Sequence, residues 1–165
     1  MASLREEKKR ATRQAMADAA ARLVLDGGAE AATISGITAA VGVSPRTFHN
    51  YFSSVADALL YFTADVLESF AADIPSVCPG KSVTAVLEAA LLESLEDEEK
   101  ELRSLHTLYR IGEALDNLSH TSEERKRFER VSDTIISAFQ QRGTDYTDYE
   151  LGVVLNACAG GSVAF

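Results

Sequence analysis

The sequence predicts an all-α protein, and three observations carry that prediction. Apolar residues recur at helical spacing along most of the chain. No alternating β-branched run marks a strand. The punctuation is helical too: glycine follows the apolar stripes, Ser or Thr precedes the next one, and only three prolines interrupt 165 residues. Composition places the chain among globular proteins, with 46% apolar and 25% charged residues.

The helices follow in order. The first is predicted from about Glu6 to Leu25, with Ala15/Met16, Ala19/Ala20 and Leu23/Val24 on one face. Asp26-Gly27-Gly28 stops it, glycine suiting the left-handed cap position. A short second helix follows Thr33, with Ile34, Ile37 and Val41 inward, and ends at Gly42. A third starts at Ser44-Pro45, where Ser caps and Pro at the first helical position loses no hydrogen bond. A fourth runs from about Ser54 to Asp73, its stripe marked by Leu59, Phe62, Val66, Phe70 and Ile74. Pro75 to Gly80 reads as a linker or corner. The fifth starts near Ser82 and carries Val83, Val86/Leu87, Ala90/Leu91 and Leu95. Glu96 to Glu99 reads as a solvated turn or first helical turn. The sixth carries Leu102, Leu105, Leu108/Tyr109, Gly112 and Leu115. Capping boxes at Thr121–Glu124 and Thr147–Glu150 open the last two. The first of these carries Phe128, Val131, Ile135 and Phe139 and ends at Gly143; the second carries Leu151, Val154/Leu155 and Cys158.

Residues 33 to 52, TISGITAAVGVSPRTFHNYF, have the layout of a helix-turn-helix. Gly42 makes the turn, Val43 plugs the angle between the helices, and the small Ala39 and Ala40 permit a close crossing. On a wheel of about 100° per residue, Phe48, Tyr51 and Phe52 share an inward sector. Arg46 and Asn50 point the opposite way, flanked by Thr47 and His49. All four outward residues can hydrogen-bond to base edges or phosphates, Arg pairing well with guanine and Asn with adenine in the major groove.

Charge distribution supports that assignment. The net charge is -9, yet residues 1–52 carry seven Lys and Arg against five Asp and Glu, while the remainder carries nine against twenty. Such asymmetry suggests one segment that meets a polyanion and another that does not. Arg5, Lys8, Lys9, Arg10 and Arg13 cluster at the start of the first helix, where cations oppose the helix dipole. A nearby DNA phosphate backbone offsets that cost through counterion release.

Residues of about 10 to 70 resemble the N-terminal domain of TetR-family transcriptional regulators. The resemblance rests on AAARLVLDG at Ala19–Gly27, Thr33-Ile34 with Ile37, Val41-Gly-Val-Ser44, Thr47-Phe48, Asn50-Tyr-Phe52 and Ala58-Leu-Leu60. It implies a DNA-binding helix-turn-helix domain at 1–53 and a helical ligand-binding and dimerisation domain at 54–165, with helix 54–73 connecting them. It implies a repressor acting as a homodimer on a palindrome in double-stranded DNA, released by an unidentified small-molecule effector. Carried onto this sequence, Arg46, Thr47, His49 and Asn50 meet the major groove. Tyr51, Thr33, Ser35 and Ser44 approach phosphates, beside the basic Lys8 and Lys9. Two departures stand out. The family usually has a lysine after its Tyr-Phe-x-Ser stretch, where this chain has Val55 followed by Ala56. Family members also commonly continue through two long helices, so a sequence ending at Phe165 reads as truncated or minimal.

An effector pocket between the fourth to seventh helices has Phe62, Val66, Phe70, Leu87, Leu91, Leu105, Leu108, Tyr109 and Phe139 as candidate lining. Apolar residues at this spacing equally describe a filled core. No metal site or other cofactor is expected: Cys78, Cys158, His106 and His120 match no ligand spacing. Cys158 reads as a packed small hydrophobe. No catalytic constellation appears, so an enzyme is not expected. No apolar run reaches the ~18 residues of a membrane span. The N-terminus lacks a secretory apolar core, and the cysteines form no disulfide framework, which together point to the cytoplasm. Val55 and the early end also support a second reading: a helical interaction protein that binds no DNA and heterodimerises with a full-length regulator.

Overall fold

A computed structural model describes residues 3–77, 82–94, 101–118, 122–141 and 143–161. Among these the structure is helical, without strands. The helices are α1 (Leu4–Gly27), α2 (Ile34–Val41), α3 (Pro45–His49), α4 (Val55–Val77), α5 (Val83–Ser94), α6 (Leu105–Asn117), α7 (Ser122–Gln141) and α8 (Asp148–Gly161), with a 3-10 turn at Ala29–Ala31. The chain forms two compact units, one of residues 1–62 with 110–124 and one of 63–109 with 125–165.

In the first unit, α1 starts two residues before its predicted position because Ser3 caps it, accepting the Glu6 N–H at 3.3 Å. Met16, Ala17, Ala20, Ala21 and Val24 are buried. The small residues let neighbouring helices lie close against α1, which packs against the 3-10 turn and α2. α1 runs to Gly27, past the predicted end at Leu25, and closes at Gly28. There φ is 75° and the N–H bonds the Val24 carbonyl at 2.8 Å. Thr33 caps α2 through the Gly36 N–H at 3.0 Å. Ile37 and Thr38 are its buried residues, and the Thr38 hydroxyl donates to the Ile34 carbonyl at 2.8 Å. Ile34 and Val41 are only half-buried. Ala39 and Ala40 are exposed, so they do not make the close crossing expected of them. Helical phase explains this: they follow the buried pair Ile37 and Thr38 around the helix by about 200°.

α4 begins with a cap shared by three residues. The Ser54 hydroxyl accepts the Asp57 N–H at 2.9 Å, and the Asp57 carboxylate accepts from the Ser53 N–H at 3.0 Å and the Ser53 hydroxyl at 3.2 Å. Its C-terminus corrects the sequence reading. The helix continues through Pro75 to Val77 instead of turning at Pro75. Proline fixes φ near the helical value but forgoes one backbone hydrogen bond and crowds the carbonyl four residues back, a cost that α4 bears within its last three residues. Cys78 to Gly80 lie outside the described residues.

In the second unit, Val83, Val86 and Leu87 of α5, Ile135 and Phe139 of α7 and Leu151 of α8 form one buried cluster, against which Leu67 and Phe70 of α4 pack. The helix predicted to run from Leu102 to Leu115 is interrupted. Residues 101–102 are helical, Arg103 and Ser104 break the run, and α6 starts at Leu105. The buried hydroxyls drive the break. Ser104 accepts the Thr107 N–H at 3.1 Å, and the Thr107 hydroxyl donates to the Glu101 carbonyl at 2.7 Å. Arg103 also pairs with Asp65 of α4 at 2.8 Å. The Thr147–Glu150 box forms reciprocally: Glu150 accepts the Thr147 N–H and hydroxyl, both at 2.8 Å, and Thr147 accepts the Glu150 N–H at 3.3 Å. Thr121 of the other box, Glu96–Glu99 and the Cys158 side chain lie outside the described residues.

Candidate nucleic-acid interface

Helix α3 is short, and its local chemistry explains why it forms. Ser44 accepts the Thr47 N–H at 3.1 Å, and Pro45 occupies the first turn. Gly42, at φ 74° and ψ 34°, adopts the left-handed conformation that turns the chain from α2 into this cap. Beyond His49 the backbone stays helical in its bonding. The Asn50 N–H bonds the Arg46 carbonyl at 3.2 Å, and the Phe52 N–H bonds the Phe48 carbonyl at 2.9 Å. The helical wheel therefore describes residues 44 to 52 even though α3 itself ends at His49.

One side of this segment is the anchor. Phe48 and Phe52 are fully buried, with ring centroids 5.6 Å apart. The opposite side carries Arg46, His49 and Asn50, all exposed, with exposed Ser44 at the start. Thr47 is half-buried and its hydroxyl lies 2.9 Å from that of Ser44. Tyr51 is half-buried. On α2, Ser35 is exposed beside the exposed cap Thr33. On α1, Arg5, Lys8, Lys9 and Arg10 are exposed, but Arg13 departs from the cluster. Its guanidinium carbon lies 4.3 Å from the Tyr61 ring centroid and 5.1 Å from that of Phe52. Val55, where the lysine was expected, is half-buried.

This arrangement presents a cation, an imidazole, a carboxamide and two hydroxyls on a rigid helical edge. Arg donates in a planar fork, and a carboxamide both donates and accepts, which is the chemistry that distinguishes base edges in a major groove.

Residues 17–60 match the family described as bacterial regulatory proteins, tetR family. The N-terminal domain is a TetR-family domain. With it the chain carries the DNA-binding part of a transcriptional regulator. The match covers the second half of α1, α2, α3 and the first turns of α4. Among curated proteins, no sequence matches the chain.

Outside the TetR-family domain, the residues proposed to line an effector pocket take several positions. Phe62, Val66, Leu87 and Phe139 are buried, while Phe70, Leu108 and Tyr109 are half-buried. Leu87 and Phe139 belong to the packed cluster of the second unit, with Phe70 against it. The side chains of Leu91 and Leu105 are outside the described set. A groove of about 500 Å³ opens elsewhere, lined by Ala71 and Ala72 of α4 and by Arg130, Asp133, Thr134, Ser137, Ala138 and Gln141 of α7. Its lining shares none of the nine. Among the described residues no three His, Cys, Asp or Glu converge as a metal site, and no helix is long and apolar enough to cross a membrane.

Two features escaped the sequence reading. The Ser54–Asp57 cap carries a readable Ser-x-x-Asp spacing. The placement of Arg13 over Tyr61 and Phe52 has no local signal, because it joins residues 39 and 48 positions apart.

Proposed function

We propose that this chain is a one-component transcriptional repressor that binds a palindromic operator as a homodimer and releases it on binding a small-molecule effector. The observation that carries the reading is the two-sidedness of the 44–52 segment: Phe48 and Phe52 anchor it, while Arg46, His49 and Asn50 face outward. Thr33, Ser35, Ser44, Thr47, Tyr51, Lys8 and Lys9 supply phosphate contacts that set register, since backbone contacts position and base contacts specify. On this reading residues 1–53 read DNA and 54–165 regulate and dimerise in the cytoplasm, without catalysis. Val55 leaves the start of α4 without a cation, so phosphate binding falls to α1 and α2.

The test is selection of bound fragments from a random DNA library by the purified protein at near-physiological salt, with solution mass measured on and off DNA. An enriched palindrome bound by two copies supports the reading. Diffuse, salt-sensitive enrichment by a monomer favours instead a protein that heterodimerises with a full-length regulator.

A further inference from the structure

Arg13 stands apart from the exposed cations that precede it on α1. Its side chain is half-buried, and its guanidinium faces two rings, Tyr61 at 4.3 Å and Phe52 at 5.1 Å. Those rings meet each other edge-on, with centroids 5.7 Å apart and planes at 63°. Nε is buried and finds no hydrogen-bond acceptor among the described residues, so aromatic faces rather than a carboxylate hold this part of the cation. A desolvated cation over aromatic faces gains more than an exposed one. The contacts continue beyond Phe52: it lies 5.6 Å from Phe48, whose ring meets His49 at 5.7 Å and 86°. An unbroken series of ring contacts thus runs from α1, through the turn after α3, to an exposed side chain on the proposed reading face.

We propose that Arg13 is a positioning residue for DNA reading, clamping the turn at Phe52 to Tyr61 and so fixing the angle at which α3 presents Arg46, His49 and Asn50. The clamp rests on the DNA-binding reading given above. α3 has a single helical turn, and a helix so short takes its orientation from what its buried rings touch rather than from its own stability. Three elements meet at those rings, α1 through Arg13, the post-α3 turn through Phe52, and α4 through Tyr61. A phosphate contact made through the edge of the Arg13 guanidinium is the competing role.

The experiment compares wild type with Arg13→Met, which keeps the stem and removes the charge, with Arg13→Lys and with Tyr61→Leu. Affinity is measured on the fragment enriched by the wild type and on random-sequence DNA, over a salt series. The clamp predicts a loss of roughly 2- to 30-fold on the enriched fragment in Arg13→Met, the span of a cation–π contact. Random-sequence affinity and salt slope stay unchanged, and Arg13→Lys restores part of the loss. An equal loss on both DNAs, with the salt slope reduced by about one phosphate, overturns the clamp in favour of a direct contact. Urea unfolding without DNA gives a separate check. The clamp requires that Arg13→Met and Tyr61→Leu be non-additive, and additive effects overturn it. If the wild type enriches no sequence, the DNA-binding reading falls and the positioning role with it; the unfolding cycle then shows whether a purely structural contact remains.

Discussion

Gly42 is the residue on which the approach to α3 turns. Its φ of 74° lies in the region that side chains with a Cβ avoid, yet a Cβ built there meets nothing within 4 Å. The cost of substitution is therefore one of backbone conformation rather than crowding. Gly42→Ala is expected to destabilise the protein by about 1–2 kcal/mol, and Gly42→Asn by less, because Asn visits the left-handed region more readily. Urea unfolding of the two variants checks both the size and the order. At the same scale, the outward direction of Arg46, His49 and Asn50 was legible from the sequence because Phe48 and Phe52 fix the phase of one helical turn. Arg13 was not legible: a basic side chain near a basic N-terminus reads as solvated until its tertiary neighbours are known.

At the scale of elements, the short helices owe their limits to side chains that capture backbone groups. Ser104 is buried and holds the Thr107 N–H at the start of α6. Ser104→Ala leaves that donor without its side-chain acceptor and is expected to cost about 1–2 kcal/mol, read as a lower denaturant midpoint with an unchanged slope. The break before α6 escaped the periodicity argument because Leu102 and Leu105 continue the apolar spacing, while the competing hydroxyl bonds of Ser104 and Thr107 leave no mark in it. The α8 cap was legible, since Thr147 and Glu150 carry a purely local spacing. The backbone and hydroxyl hydrogen bonds from Thr147 hold the Glu150 carboxyl below its usual 4.5. A carboxyl lowered in the folded state stabilises above its unfolded value and loses that contribution as pH falls through its folded one. The stability difference between wild type and Glu150→Gln is therefore expected to be present above the ordinary carboxylate range and to shrink as pH falls through and below it. A difference independent of pH contradicts the charged cap.

At the scale of the whole molecule, the all-α class and the helix-turn-helix were legible because both rest on local periodicity and caps. The continuation of α4 through Pro75 was not, since proline beyond the first turn of a helix ordinarily breaks or kinks it. Nor was the division between pocket and core, because Leu87 and Phe139 have the same spacing whether they line a cavity or, as here, pack in a cluster. The charge asymmetry belongs to this scale as well. A segment of 52 residues with an excess of Lys and Arg, followed by one with twenty acids against nine bases, favours contact with a polyanion through the first and repels it from the second. The central claim is that the outward edge of the 44–52 segment reads the sequence of DNA. It is tested most directly by repeating the library selection with Arg46→Ala and Asn50→Ala beside the wild type. The account predicts a palindrome for the wild type and, in each variant, relaxed preference at one symmetric pair of positions, worth about 1–3 kcal/mol per contact. The same palindrome recovered unchanged by both variants contradicts it.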